Sequence, residues 1–452
     1  MKLRHVFLLA FFSVAAFPAA AEVTFSADVA PIVFQRCTGC HRPGEAAPFS
    51  LMSYDDVAKR GKLVAAVTAS RIMPPWQAEP ASYAYKDSRR LSDQELATIQ
   101  EWVKEGMPKG DLDKLPALPN FPDGWQLGPP DLVVKMPKGF HVPAEGPDIY
   151  RYIRVPLNLP EEKWVQAIDL RPSSRKVVHH VLYFADDTEG AQKIEAEEEA
   201  STANHASMRF TRGMTALGGV AVGAQPHLLP GGLALKLPKN TDLMFQYHFH
   251  PTGKEETEQS TIGLYFAKKA PEHTLTGIQL PVSYGFFSGV SIAPGEKDYR
   301  IRDSFVLPVD VQAISVGAHA HYIGKVMKMT ATFPDGSVKT LLDIKNWDFA
   351  WQDRYFFEEP ILLPKGTRLD SEVSWDNSDS NPKNPSRPPI QVQWGEQTKD
   401  EMGAVSLQVY PASEANLMKL RSTYQGHVRE TARERIRKDP TMMAKIREIM
   451  GN

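Results

Sequence analysis

The chain has 452 residues, enough for two or three domains, and 42% of them are hydrophobic. Its formal net charge of -2 gives no reason to expect a nucleic-acid partner. No stretch of the mature chain is long and apolar enough to predict a transmembrane helix. Short apolar runs separated by proline, glycine and aspartate, with 36 prolines in all, predict a largely β protein.

The N-terminus has the pattern of a secretory signal peptide. Lys2 and Arg4 precede the apolar run "VFLLAFFSVAAF", and an Ala-x-Ala site ends at Ala21. We therefore predict a signal peptide over residues 1–21, cleaved before Glu22. No twin arginine is present, so we expect export in the unfolded state and, in a bacterium, a periplasmic protein.

A haem-attachment motif follows. In "CTGCH", Cys37 and Cys40 have the spacing that bonds the two vinyl groups of haem, and His41 would be the proximal iron ligand. The alternatives are a thioredoxin-like redox pair or a simple disulfide. Because a redox pair would need a βαβ context that is missing here, we favour covalently bound haem c. These are the only two cysteines in the chain.

Helical patterns surround this motif. "SADVAPIVFQR" precedes it, and "SDQELATIQEWVKEG" carries a capping box formed by Ser92 and Glu95. The order of helix, CxxCH, middle helix, methionine loop and final helix resembles a small class I cytochrome c over about residues 24–110. We assign residues 22–110 to this all-α haem domain.

The second axial ligand of such a haem is expected to be a methionine thioether. Three methionines are available before the linker: Met52, Met73 and Met107. We favour Met73, because the two prolines of "RIMPPW" would hold an extended, rigid segment that can present the sulfur to a flat ring.

The rest of the chain predicts a linker, two sandwiches and a tail. A Pro-rich stretch over residues 111–130 reads as a semi-rigid linker. Alternating strand patterns then predict two antiparallel, jelly-roll-like β-sandwiches over residues 131–280 and 281–412, divided somewhere between Ala270 and Gly289. A helical, Arg-rich tail is predicted over residues 413–452, including a second helix at "TMMAKIREIM".

Histidines cluster in three strand-like segments: His179 and His180 in "VVHHVLYF", His248 and His250 in "FQYHFHP", and His319 and His321 in "GAHAHYIGK". The i,i+2 spacing of the two H-x-H pairs puts both rings on one face of a strand. No thiolate remains for a blue-copper site and no H-E-x-x-H is present, so imidazole ligands favour copper over a zinc protease site.

Four motifs, "VVHHVLYF", "MFQYHFHPTG", "GAHAHYIGKVMKM" and "DEMGAVSLQVYP", occur in an order that resembles the copper type II, ascorbate-dependent monooxygenases. This is the family of dopamine β-monooxygenase and peptidylglycine α-hydroxylating monooxygenase, and the resemblance covers about residues 130–412. It implies two copper sites. The electron-storing site would take His179, His180 and His248. The site that reacts with O2 would take His319, His321 and Met402. His250 lies outside the pattern, and we expect it to support a ligand or lie at the surface.

The chain departs from this family at three places. Gly403 stands where members commonly have a cysteine beside the ligand methionine. Gly317 and Ser406 stand where peptide-hydroxylating members have the arginine and tyrosine that hold a peptide carboxylate. A glycine-extended peptide is therefore not the expected substrate, and no other charged anchor is evident from the sequence.

The combination implies a copper-dependent monooxygenase that hydroxylates a C–H bond of a small substrate with O2. The fused haem would relay electrons from a periplasmic donor in place of ascorbate. The alternative is a non-enzymatic electron carrier or copper-handling protein with the same ligands. A copper nitrite reductase is disfavoured because it needs a cysteine ligand.

The resemblance also makes a geometric prediction. Adjacent residues of a regular strand point to opposite faces, yet His179 and His180 would have to bind one copper. We therefore expect a bulge or a strand end near Val178–His180, with His248 approaching from a neighbouring strand.

Overall fold

A computed structural model describes residues 22–45, 47–121, 124–200, 214–221, 224–282, 288–395 and 399–438. The predicted signal peptide and the second helix of the predicted tail lie outside the described residues. Across those ranges the chain is mostly antiparallel sheet with few helices. Among the helices so described, none has the length and apolar character needed to cross a membrane.

Among the described residues up to Lys104, the regular elements are helical. The helical segments are a π-helical turn at Phe25–Val29, α1 at Ala30–Arg36, α2 at Tyr54–Ala58, α3 at Gly61–Ala69 and α4 at Asp93–Lys104. The predicted capping box begins α4, since the Ser92 hydroxyl accepts from the Glu95 N–H at 3.1 Å and the Glu95 carboxylate from the Ser92 N–H at 2.6 Å. Ile99 and Trp102 of α4 are buried against the π-helical turn and α1.

Within its described residues, the first sandwich has ten strands and one α-helix. Its strands are β1 Leu132–Lys135, β2 Phe140–Val142, β3 Ile149–Pro156, β4 Lys163–Arg171, β5 Val178–Asp186, β6 Thr215–Ala221, β7 Leu235–Leu237, β8 Asp242–Phe249, β9 Glu256–Glu258 and β10 Thr261–Phe266, with α5 at Gly190–Ala200. Two four-stranded sheets, β1-β10-β4-β7 and β3-β8-β5-β6, share one apolar core, and β2 pairs with β9. All these pairings are antiparallel.

Strand β8 is buried along its whole length, which identifies it as a central strand. Phe245 and Tyr247 point into the sandwich core, so Gln246 and His248 point to the opposite face of the sheet. That face is itself covered, because His248 is only 1% exposed. The alternation along β8 therefore places the His248 ring in a buried position outside the apolar core of the first sandwich.

The second sandwich also has ten strands. They are β11 Thr276–Leu280, β12 Ser291–Ile292, β13 Tyr299–Val306, β14 Val311–Ala320, β15 Gly324–Thr332, β16 Val338–Ile344, β17 Arg354–Leu363, β18 Arg368–Trp375, β19 Val392–Gln393 and β20 Gly403–Pro411, and α6 follows at Glu414–Lys438. The two four-stranded sheets are β11-β20-β14-β17 and β13-β18-β15-β16, and β12 pairs with β19.

One boundary differs from its predicted position. Strand β11 lies in the range assigned to the first sandwich, but it pairs with β20, and its Ile278 and Leu280 belong to the core of the second. The division therefore falls before Thr276, inside the Ala270–Gly289 interval. The strand pattern identifies β11 as a strand, but only its pairing assigns it to a sandwich.

The C-terminal helix α6 docks on the second sandwich. Leu417 and Leu420 are buried, and the Tyr424 hydroxyl donates to the Gln279 carbonyl of β11 at 2.8 Å. The prediction of a helical tail is confirmed for the described part.

The segment between α3 and α4 leaves the N-terminal helices and packs into the second sandwich. Trp76, Ala78 and Tyr85 are buried in the core of that sandwich. The Glu79 N–H donates to the Asp343 carbonyl at 2.8 Å, and the Glu358 N–H to that of Ala84 at 3.1 Å. Residues 22–110 are therefore not the separate unit that the sequence predicts.

This packing predicts a large effect of one substitution. Trp76 is 9% exposed, and its ring meets the Tyr355 ring edge-on at 4.9 Å. Trp76→Ala would leave a cavity, so we expect the free energy of unfolding to fall by about 3–5 kcal/mol in urea denaturation. Ile72→Ala, at a residue that is 56% exposed, is the control and should change it by less than about 0.5 kcal/mol. Equal effects would contradict the buried position of Trp76.

Candidate metal centre

The first histidine group depends on an irregularity in the ladder between β5 and β8. Val178 pairs with Phe249, but the next pair joins His180 to His248, so His179 has no partner opposite it. The predicted bulge is therefore confirmed, with its extra residue at the start of β5. The bulge cancels the strand alternation, and the rings of His179 and His180 both reach His248.

Three ring nitrogens converge in this group. The Nδ1 of His180 lies 3.1 Å from the Nδ1 of His179 and 3.3 Å from the Nδ1 of His248. One possible ligand atom from each residue lies within 4.8 Å of the others, so the three could hold a metal ion. A set of imidazole nitrogens alone suits copper or zinc.

Burial keeps His179 and His180 uncharged. Desolvation, helped by the neighbouring His248, lowers the pKa of His179 to about 4. The same causes hold the pKa of His180 well below its usual value, with smaller contributions from His179, His319 and His321. Neutral imidazole is the form that binds a metal, so His179 and His180 are in their metal-binding state at neutral pH.

Asp148 orients His248. One carboxylate oxygen lies 2.8 Å from the His248 Nε2, and the other lies 2.7 Å from the Nδ1 of the exposed His250. Burial acts to raise the pKa of Asp148, but the two histidines outweigh it and bring the pKa to about 2. A carboxylate on Nε2 fixes the tautomer that turns Nδ1 toward the other two rings. His250 lies outside the three-nitrogen group.

The second histidine group lies where β14 ends. The rings of His319 and His321 are 5.3 Å apart and nearly perpendicular. The Nδ1 of His319 lies 2.6 Å from the Gln352 side-chain oxygen, and the Nδ1 of His321 lies 2.9 Å from the Asp400 carbonyl. Since Gln352 occupies Nδ1, Nε2 is the atom that His319 can offer to a metal.

A buried carboxylate holds the backbone of this group. Glu401 is 1% exposed and accepts from the backbone N–H groups of His321 at 2.9 Å and Ile323 at 2.7 Å, and from the Trp375 indole at 3.1 Å. Burial raises the pKa of Glu401 to about 8. Met402 follows directly and precedes Gly403, which pairs with Ala320, and the Met402 carbonyl accepts from the Trp375 indole at 3.1 Å.

The Trp375 ring also explains the glycine at 403. A Cβ on Gly403 would overlap the Trp375 ring and lie 2.7 Å from a Val373 methyl group. The side chain is excluded by the core of the second sandwich, so the departure from the family pattern does not touch the candidate ligands.

One aromatic ring lies between the two groups. Phe349, in the loop before β17, stacks on His179 at 5.3 Å between ring centroids and meets His321 edge-on at 5.8 Å. His179 belongs to the first sandwich and His321 to the second. The loop of Phe349 therefore joins the two histidine groups, and nothing in the histidine spacing predicts it.

The predicted haem motif lies at the end of α1. Cys37 and Cys40 are thiols, and burial raises the pKa of Cys37 to about 12. The His41 Nδ1 lies 3.0 Å from the Phe49 carbonyl, which leaves Nε2 as the atom for an axial bond. The two thiols and the available His41 Nε2 fit a haem attached at this motif.

The three candidate methionines lie in different places. Met73 is partly buried just after α3, where its N–H donates to the Val67 carbonyl at 3.1 Å. Met107 packs its sulfur against Gly61 in the helical core, as a filler would. Met52 adjoins Leu51, whose N–H donates to the His41 carbonyl at 2.9 Å. The assignment of Met73 stays a prediction.

Comparisons with known proteins identify no family. No family model matches the chain, and no curated protein matches it. Among solved structures, the major capsid protein P2 of bacteriophage PM2 is 9% identical, covers 62% of this chain and 97% of its own, and has a TM-score of 0.23. PNGF-II is 8% identical, covers 62% and 65%, and has a TM-score of 0.28. Scores this low carry no argument about function.

The Asp148 contact predicts a loss of metal affinity. In a His319→Ala/His321→Ala background, which isolates the first group, Asp148→Ala should weaken Cu(II) binding by about 10- to 100-fold, because His248 loses its orientation. Titration against a competing chelator measures this. His250→Ala is the matched control and should bind copper almost as the background does. An unchanged affinity in Asp148→Ala would refute the orienting role.

The lowered pKa of His179 predicts a pH dependence of stability. Below its usual pKa of 6.5 the unfolded chain protonates this residue, but the folded protein does so only near pH 4. The metal-free protein should therefore lose stability as the pH falls from 6.5 to 4, by on the order of 2 kcal/mol from His179. In urea denaturation across this range, His179→Gln should show a smaller loss; an equal loss would contradict the assignment.

Proposed function

We propose that this chain is an exported, copper-dependent monooxygenase that hydroxylates a C–H bond of a small substrate with O2. A c-type haem at Cys37, Cys40 and His41 would deliver electrons from a periplasmic donor. The bound metals would supply O2 activation and one-electron storage, and the haem would supply reversible one-electron transfer.

The observation that carries the proposal is the pair of histidine groups on either side of Phe349. One group offers three imidazole nitrogens: those of His179, His180 and His248. The other offers His319 and His321 beside the Met402 segment. Nitrogen-only and nitrogen-plus-thioether ligand sets suit two copper ions with different tasks, because a thioether favours Cu(I).

The second group has the rigidity that a reacting site needs. Gln352 fixes the ring of His319, and the Asp400 carbonyl fixes that of His321. The Trp347 indole donates to the His321 carbonyl at 3.0 Å, and Glu401 holds its N–H. Ligands held by their own supporting contacts keep their geometry when a substrate binds.

The contact between the N-terminal region and this group supports the role of the haem. Four residues after Met73, the Gln77 side chain donates to the Asp348 carbonyl at 2.9 Å and accepts from the Asp348 N–H at 2.7 Å. The loop then continues to Gln352, which bonds His319. The loop therefore links the segment after Met73, the predicted haem ligand, with His319, and we infer that electrons would pass along it.

Rapid mixing of reduced protein with O2 tests the proposal. The haem- and copper-loaded chain should show faster haem reoxidation than the copper-stripped chain, because O2 would withdraw electrons through the copper sites. Gln77→Ala should slow the copper-dependent part, while Ser82→Ala, which removes another contact with the same sandwich, should not. An identical rate with and without copper would reject the electron relay.

Product analysis separates the two functional classes. The loaded protein, supplied with electrons and isotopically labelled dioxygen, should add one labelled oxygen atom to a component of a metabolite extract. His321→Ala should abolish this product. Failure to form any oxygenated product, with copper-dependent reoxidation retained, would favour an electron-transfer or copper-handling protein.

A further inference from the structure

A single guanidinium lies on the sheet face that carries His319. Arg354 begins β17, and both Arg354 and Ser406 of β20 pair with Gly317 of β14. Paired residues share a face of a sheet, and residues two apart on a strand do also, so Arg354, Ser406 and His319 face the same side. Two strand residues span about 7 Å, which sets the scale of the separation between Gly317 and His319.

Because residue 317 is a glycine, no side chain at this position of β14 covers the Arg354 guanidinium. A Cβ at this position would lie 3.6 Å from the Arg354 Cζ, in ordinary contact with it. The glycine therefore does not relieve a clash. With glycine at position 317, no side chain stands on the sheet surface between Arg354 and His319.

The partners of the guanidinium are neutral. One terminal nitrogen donates to the Ser406 hydroxyl at 3.1 Å, and the other donates to the Ser315 hydroxyl at 3.4 Å. The Ser315 hydroxyl in turn donates to the Gln408 side chain at 2.7 Å. Five N–H groups are available on a guanidinium, so donors remain for a ligand.

No carboxylate of the described residues forms an ion pair with Arg354. The adjacent Asp353 is engaged elsewhere, since one oxygen accepts from Arg89 at 2.7 Å and the other from the Arg354 backbone N–H at 2.8 Å. Burial lowers the pKa of Arg354 to about 10, so the group is charged at neutral pH but poorly solvated. The charge of Asp353 offsets part of this desolvation, but an anion in direct contact with the guanidinium would offset more of it.

The surrounding face is the boundary between the two sandwiches. Leu229, Leu233 and Leu235 of the first sandwich pack against Ile314 and Tyr410 of the second. The His227 ring, also from the first sandwich, lies 4.8 Å from the ring of Phe356 on β17. Arg354 thus lies on the sheet face that meets the first sandwich, and it is not an outer-surface arginine.

We propose that Arg354 and Ser406 bind the carboxylate of a small organic acid, and that this anchor presents the acid to the His319–His321–Met402 group. A planar carboxylate can accept two parallel N–H bonds from the guanidinium. The Ser406 hydroxyl, which accepts from Arg354, still has its own proton to donate to the carboxylate. The choice of His319 as the reacting end rests on the proposed function, but binding of the carboxylate does not.

The test measures binding to the full-length, haem-loaded protein without copper, so that a carboxylate cannot bind the metal instead. The probes are butyrate and phenylacetate, each compared with its uncharged primary amide, with ligand-observed NMR as the readout. The wild type should prefer each acid to its amide. Arg354→Gln should lose about tenfold or more of the affinity for the acids and leave the amides unchanged.

Two further variants keep the result interpretable. Ser406→Ala removes only one hydroxyl and should weaken the acids several-fold, even if Arg354→Gln is too unstable to study. Arg302→Gln, which removes a guanidinium paired with Glu372 on an exposed strand, is the matched control and should behave as wild type. No preference for the acids in the wild type, or a preference unaffected by both Arg354→Gln and Ser406→Ala, would overturn the proposal.

The outcome is independent of the monooxygenase proposal. Arg354-dependent binding of acids with no oxygenated product would keep the carboxylate site and reject the enzymatic function. Oxygenated neutral products without binding of acids would keep the enzymatic function and reject the carboxylate site.

Discussion

His179 has no partner in the ladder between β5 and β8, and the first histidine group depends on this bulge. In a regular ladder, alternation would send one of the two adjacent rings into the apolar core with Val181 and Tyr183. With His179 unpaired, both rings instead meet His248. The Nδ1 of His180 then lies within hydrogen-bonding distance of the Nδ1 atoms of His179 and His248, and three imidazole nitrogens so placed can hold a metal ion.

The loop from Asp348 to Gln352 contacts three parts of the chain: the N-terminal region and the two sandwiches. Gln77 from the N-terminal region bonds Asp348, Phe349 stacks on His179 of the first sandwich, and Gln352 holds His319 of the second. A shift of this loop would therefore move both histidine groups at once. Its support by Gln77 makes the N-terminal region part of the site.

Local patterns predicted the capping box of α4 and the strands around the histidines, because spacing and alternation determine these features directly. The bulge at His179 was predicted from the resemblance, which requires His179 and His180 to bind one copper. The residues that hold the candidate ligands were not predicted. Asp148, Gln352 and Arg354 come from other strands or loops, and their proximity to the histidines depends on strand pairing and on the contact between sandwiches. The assignments of β11 to the first sandwich and of the Trp76 segment to a separate haem domain were wrong for the same reason, because both pack against residues far away in the sequence. Arg354 lies opposite Gly317 on the neighbouring strand. The sequence alone shows only that position 317 lacks the arginine of the peptide-hydroxylating members.

The insertion of the Trp76 segment has a consequence for the order in which the chain assembles. The hydrogen bond between Gln77 and Asp348 joins residues 271 positions apart, and the core around Trp76 is completed by β17 and β20. Contacts of such long range form late, because a large loop must close before they gain any stability. Because the Trp76 segment packs into a core that β17 and β20 complete, we expect the N-terminal region that contains Cys37 and Cys40 to be anchored late in folding.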